Sequence, residues 1–130
     1  GRPKISLERV AVNLMDFRIP DNAGTIISDQ AVIEGAPTAY FSTLPLRPIM
    51  EALRQARIPS EMSLSAGAYL CNQVFFSMMH EINRGNLAIR AGFVHLPALP
   101  EQAAQSSKPL PSMSLEQDIM AATIIISQMR

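Results

Sequence analysis

Among side chains able to do covalent or acid–base chemistry, the sequence offers one thiol, Cys71, and two imidazoles, His80 and His95, beside eleven Asp and Glu. A lone Cys in an apolar helical stretch is more often a buried hydrophobe than a nucleophile, so its neighbourhood decides. Ser63-Leu64-Ser65-Ala66-Gly67-Ala68-Tyr69-Leu70-Cys71-Asn72 reads as strand, small-residue turn and helix. That order sets the sulfur near a helix N-terminus, where the aligned peptide dipoles favour a thiolate. A nucleophile also needs a base. His95 closes the run Gly92-Phe93-Val94-His95-Leu96-Pro97, at the kind of strand end where α/β sheets present side chains to ligands. His80 falls at the end of a predicted helix beside Glu81 and reads as an exposed histidine. The Cys and the two His lack the clustered spacing of a zinc site, so no metal and no other cofactor is expected.

The elements that must position these groups follow from periodicity. Arg9 to Leu14, β-branched and flanked by charge, reads as a short buried strand. Pro20 to Pro37 reads as a long irregular segment, with Ile26-Ile27 and Ala31-Val32-Ile33 as candidate edge strands. Leu46, Ile49, Met50 and Leu53 share one face of a helix running to about Ala56. Glu61 to Ser65 makes a strand before the Ala66-Gly67 turn. A second helix then covers about Tyr69 to Glu81, with Leu70, Val74, Phe75, Met78 and Met79 as its apolar face. Ala88 to His95 is the next strand, and Gln102 to Pro111 a polar loop. Ser114 with Gln117 three residues later forms a capping box, opening a final helix that turns Leu115, Ile119, Met120, Thr123 and Ile124 to the core. Strands alternating with helices predict one α/β domain with a largely parallel sheet.

Composition narrows the function classes. The 130 residues are 48% hydrophobic and 17% charged, enough to bury a real core. Eleven Lys and Arg balance eleven Asp and Glu, and no basic run supplies a local field, so nucleic acid is not an expected partner. The most apolar stretch, Ile119 to Ile126, is far shorter than the roughly 20 residues a membrane span needs, so no membrane partner is expected. One Cys forms no internal disulfide and no signal peptide opens the chain, which favours a cytoplasmic location.

Several blocks then match a known pattern in order. They are Glu8-Arg9-Val10-Ala11-Val12-Asn13, Asp16-Phe17-Arg18-Ile19-Pro20-Asp21-Asn22-Ala23-Gly24 and Ala39-Tyr40-Phe41-Ser42-Thr43-Leu44-Pro45, followed by Ser65 to Asn72 and by Gly92 to Pro97 with Pro100-Glu101-Gln102. This succession resembles the pyroglutamyl peptidase type I family, also called pyrrolidone carboxyl peptidases. The resemblance implies a three-layer α/β sandwich with a mixed, largely parallel sheet. It also implies a cysteine peptidase that removes an N-terminal pyroglutamyl residue from peptides. Matched block by block, the implied triad is Glu8, Cys71 and His95: Cys71 attacks the carbonyl, His95 carries the proton, and Glu8 orients the imidazole. Arg18 and the backbone N–H of Cys71 fall where the family stabilises the oxyanion. The bland reading of Arg18 is a loop salt bridge with Asp16 or Asp21. Ile19, Tyr69 and Leu70 fall beside the lactam ring. Tyr69-Leu70 stands where the family has Phe-Val, and Ala68 where it has Thr.

The largest departure is at the start, since Gly1-Arg2-Pro3 matches only the tail of a Gly-Gly-Arg block. Residues 1–130 are therefore expected to be the C-terminal part of a single domain of this kind, about three-fifths of it, without its N-terminal strands. Unpaired strand edges would favour a homo-oligomer, or pairing with another chain that supplies the missing strands. Two other readings stay open: a non-catalytic remnant acting as an oligomerisation or interaction module, and a related thiol amidase acting on a small lactam.

Overall fold

Short apolar runs cut by Pro, Gly and Asn give short elements. The computed structural model describes all 130 residues. Its elements are β1 (Ile5–Glu8), β2 (Val10–Val12), β3 (Ala39–Phe41), α1 (Leu46–Gln55), β4 (Ser60–Ser63), α2 (Leu70–Arg84), β5 (Phe93–His95), α3 (Pro100–Ala104) and α4 (Leu115–Ser127). One sheet has the order β4-β1-β5 and a second the order β2-β3. The chain divides into two units, the first Gly1–Leu7, Leu44–Met62 and Val94–Arg130, the second Glu8–Thr43 and Ser63–Phe93. The α/β class expected from the alternation holds. No helix is long and apolar enough to cross a membrane.

Strand β1 is buried along its whole length, with Ile5 to Leu7 in the first unit and Glu8 in the second. Its alternation sends Ile5 and Leu7 into a core with Ile49, Met50 and Leu53 of α1 and Ala121 and Ile125 of α4. Ser6, on the opposite face, donates its hydroxyl to Glu61 Oε1 at 2.9 Å. Ile5 N–H donates to the Pro59 carbonyl and Arg9 N–H to that of Ser63, so β1 and β4 run in the same direction. Helix α1 forms over the span its periodicity predicts, and Pro48 is tolerated because first-turn N–H groups have no intrahelical acceptor.

Helix α4 begins as expected, with Ser114 Oγ accepting from Gln117 N–H at 3.3 Å, but it buries a different face. Asp118, Ala121 and Ile125 point inward, whereas Leu115, Ile119, Met120 and Thr123 are exposed; of the expected face, Ile124 alone packs against the core. The helix is apolar nearly all round, so periodicity alone does not select a side. Part of the segment expected to be a loop is α3, opened by Pro100 and closed back by Gln102 Oε1, which accepts from Leu99 N–H at 2.9 Å.

In the second unit β2 and β3 pair antiparallel, with Val10 opposite Phe41 and Val12 opposite Ala39. The strand expected over Arg9 to Leu14 thus shrinks to three residues, and β1, which no apolar run marks, precedes it. Neither Ile26-Ile27 nor Ala31-Val32-Ile33 becomes a strand. Their segment is instead fastened by Phe17 N–H to the Ile27 carbonyl at 2.7 Å and by the Asn13 amide, which accepts from Ile33 N–H at 2.9 Å. The strand expected over Ala88 to His95 is confined to Phe93–His95. Helix α2 runs past Glu81 to Arg84 and buries Asn72, Phe75, Phe76 and Met79, while Leu70 and Val74 stay exposed. His80 is not the exposed residue expected: Tyr40 Oη meets its Nδ1 at 2.9 Å, and its ring stacks on Phe76.

Candidate active site

The turn from β4 to α2 is built by serines and one glycine. Ser63 Oγ donates to the Ser65 carbonyl at 3.1 Å, and Ser65 Oγ accepts from Gly67 N–H at 3.1 Å. Gly67 has a φ of +84°, a left-handed conformation that glycine adopts without a Cβ penalty. Tyr69 caps the helix in an extended conformation but contributes no side-chain cap. The first intrahelical bond runs from Gln73 N–H to the Tyr69 carbonyl at 3.0 Å, so the N–H groups of Leu70, Cys71 and Asn72 have no acceptor within the helix. Cys71, the second residue of α2, is half-buried at this positive helix end.

Beside the turn lies a cleft of about 570 Å³. Val12, Leu14, Asp16, Arg18 and Ile19 line it from the segment leaving β2, and Ser65, Gly67, Ala68 and Tyr69 from the turn. Its two walls are joined by Asp16 N–H donating to the Ala68 carbonyl at 2.9 Å and by Tyr69 Oη donating to the Pro20 carbonyl at 3.3 Å. The Tyr69 ring also meets buried Phe17 edge-on, with centroids 4.6 Å apart. Arg18 is exposed at the cleft and forms no ion pair with Asp16 or Asp21. Asp21 Oδ1 is instead occupied by the N–H groups of Ala23 and Thr25, both at 2.9 Å. A guanidinium beside an aromatic wall and an exposed apolar side chain can hold a small ligand that carries or gains negative charge.

Of the residues singled out from the sequence, Arg18, Ile19 and Tyr69 are therefore brought to one cleft. Leu70 and Cys71 follow Tyr69 directly but do not line it. Glu8 is fully buried at the end of β1 in the same unit. His95 is half-buried at the end of β5 and belongs to the first unit.

The residue that sequence reasoning missed is Asn72. Fully buried, it accepts from Val12 N–H at 2.9 Å and donates to the carbonyls of Val12 at 2.8 Å and Leu14 at 3.1 Å. The available signal was its position: Asn72, Phe75, Phe76 and Met79 follow i, i+3, i+4, i+7, an inward stripe that starts on an amide.

The family model described as pyroglutamyl peptidase matches residues 1–130. The pyrrolidone-carboxylate peptidase of Thermococcus onnurineus is 47% identical over 126 residues, covering 97% of this chain and 62% of that protein. That of Yersinia pestis is 42% identical over 127 residues, covering 98% of this chain and 59% of the other. Among solved structures, the pyrrolidone carboxyl peptidase of Pyrococcus furiosus superposes with a TM-score of 0.93 at 43% identity, covering 99% of this chain and 64% of that one. The pyroglutamyl peptidase I of Bacillus amyloliquefaciens gives 0.92 at 40% identity, covering 99% and 60%. The chain spans about three-fifths of the length of the curated relatives it matches.

Proposed function

On the premise that this chain belongs to the pyroglutamyl peptidase family, which the family model matched over residues 1–130 establishes, we propose that it hydrolyses the bond after an N-terminal pyroglutamyl residue. Residue roles are assigned by the motif match. Cys71 sulfur adds to the scissile carbonyl carbon, and its proton passes to His95, held in the useful tautomer by Glu8. The tetrahedral oxyanion is stabilised by Arg18 and the N–H of Cys71. The C–N bond breaks as His95 returns the proton to the leaving amine, and a thioester stays on Cys71. Water, deprotonated by His95, then releases pyroglutamic acid and restores the thiol. Ile19, Tyr69 and Leu70 hold the lactam ring.

The observation that carries this reading is the cleft: Arg18, Ile19 and Tyr69 gather beside the helix start that bears Cys71, and no ion pair engages the Arg18 guanidinium. The same proposal takes residues 1–130 as the C-terminal part of one such domain, supported by the order of the matched motifs. It assigns a cytoplasmic location, supported by a single thiol that must stay reduced to act. It also takes the chain to self-associate or to pair with another chain, supported by the apolar Leu115, Ile119, Met120 and Ile126 exposed on α4. The test is release of a fluorophore from a pyroglutamyl amide by the 130-residue chain. Turnover abolished by iodoacetamide and by Cys71→Ser is expected; turnover that survives either one overturns the reading.

A further inference from the structure

Asn72 holds more than its own helix. Its amide is satisfied at three points by a single orientation: the oxygen takes Val12 N–H, and the nitrogen serves the carbonyls of Val12 and Leu14. Reversing the amide would set its nitrogen against an N–H and its oxygen against two carbonyls, so the orientation is forced. Val12 and Leu14 line the cleft, and Asn72 is the residue after Cys71 in the first turn of α2. One fully buried side chain thereby links the cleft wall to the turn that carries the sulfur. An apolar contact could slide between these parts. Three directional bonds to backbone groups cannot, because each loses strength steeply with angle.

We infer that Asn72 is a positioning residue, fixing the offset between the Cys71 sulfur and the cleft in which the acyl group sits; the inference rests on the reading of Cys71 as nucleophile. Asn72 touches no reacting atom. Its effect belongs to alignment in the transition state, whereas Ile19, Tyr69 and Leu70 hold the ring of the bound substrate without it.

Two variants test this. Asn72→Ala removes all three bonds, and Asn72→Asp keeps the shape and the acceptor for Val12 N–H but as a carboxylate donates to neither carbonyl. Each is measured with a pyroglutamyl fluorogenic amide, by urea denaturation to give the folded fraction, and by the rate at which iodoacetamide alkylates Cys71. The expected result is a loss in kcat of roughly tenfold to a hundredfold per folded molecule, the size of effect that a small misplacement of reacting groups produces. KM should stay nearly unchanged in both, and alkylation should persist, since a small reagent needs no alignment with the cleft. A purely stabilising role for Asn72 would lower the folded fraction and leave kcat per folded molecule intact, and that outcome overturns the inference. A parent chain without turnover, or one that keeps turnover as Cys71→Ser, overturns the nucleophile reading and this inference with it. An inactive Cys71→Ser beside an Asn72→Ala of full kcat overturns the positioning role alone.

Discussion

Replacing Gly67 with alanine isolates a backbone cost from a packing cost. Gly67 sits at φ +84°, and a Cβ built there meets no atom within 4 Å. Nothing would collide, so the penalty lies wholly in the conformation. Left-handed backbone costs an L-residue about 1–2 kcal/mol. Alanine recovers part of that, about 0.4–1 kcal/mol, by leaving the unfolded chain fewer states to lose. A net destabilisation of about 1 kcal/mol is expected, which at a urea slope of about 2 kcal/mol per molar lowers the midpoint by about 0.5 M. Gly24 is the control, with φ +80° and equally empty surroundings, in the turn that Asp21 closes. Gly24→Ala should show the same shift and leave turnover of the pyroglutamyl amide untouched. Gly67→Ala should lower turnover as well, because the residue lines the cleft. An unchanged or raised midpoint for Gly67→Ala would refute the claim that the left-handed turn is imposed by the surrounding structure.

Other substitutions test separate links. Burial pushes the Asp118 carboxyl above its ordinary range, so the folded chain holds that proton more tightly than the unfolded chain, and stability falls as pH rises from about 4. Asp118→Asn should therefore be more stable than the parent at pH 7, and urea midpoints of the two should converge near pH 3.5; a constant gap across that range would contradict the assignment. Tyr40→Phe deletes the bond to His80 Nδ1 while keeping a ring beside Phe76, and should cost about 0.5–1.5 kcal/mol by urea denaturation. Arg18→Gln should leave the fold intact, because the side chain is exposed, and lower kcat by about a hundredfold to a thousandfold, as loss of an oxyanion partner does; an unchanged kcat removes Arg18 from the mechanism.

What could be read from the chain before its structure depended on whether local chemistry or tertiary context made the choice. Helix α1 was legible because Ile49, Met50 and Leu53 alternate with charged residues, and the start of α4 because Ser114 is a cap with a local partner. The orientation of α4 was not legible, because a helix apolar on every side is turned by its neighbours. Strand β1 escaped because Ser6 and Glu8 interrupt its apolar letters, although both are buried. The face of α2 was legible in part: Phe75, Met78 and Met79 pack inward as expected, but Leu70 and Val74 stay exposed, because the inward stripe begins on Asn72, which binds backbone rather than apolar side chains. At the candidate site, the turn before Cys71 was written in small residues and the left-handed Gly67. The cleft was not, for it depends on the 16–27 segment folding back on itself by hydrogen bonds that carry no periodic signature.

Tyr69 is held at both ends, its ring against Phe17 and its hydroxyl on the Pro20 carbonyl, while its own carbonyl starts α2. The segment from Asp16 to Ile27 and the first turn of the helix are therefore expected to open together. In hydrogen exchange, the amide protons of Asp16, Phe17 and Gln73 should share one opening free energy and lose protection in the same step as denaturant is added. Tyr69→Phe would uncouple the hydroxyl end and let the loop amides exchange first, turning one cooperative unit into two.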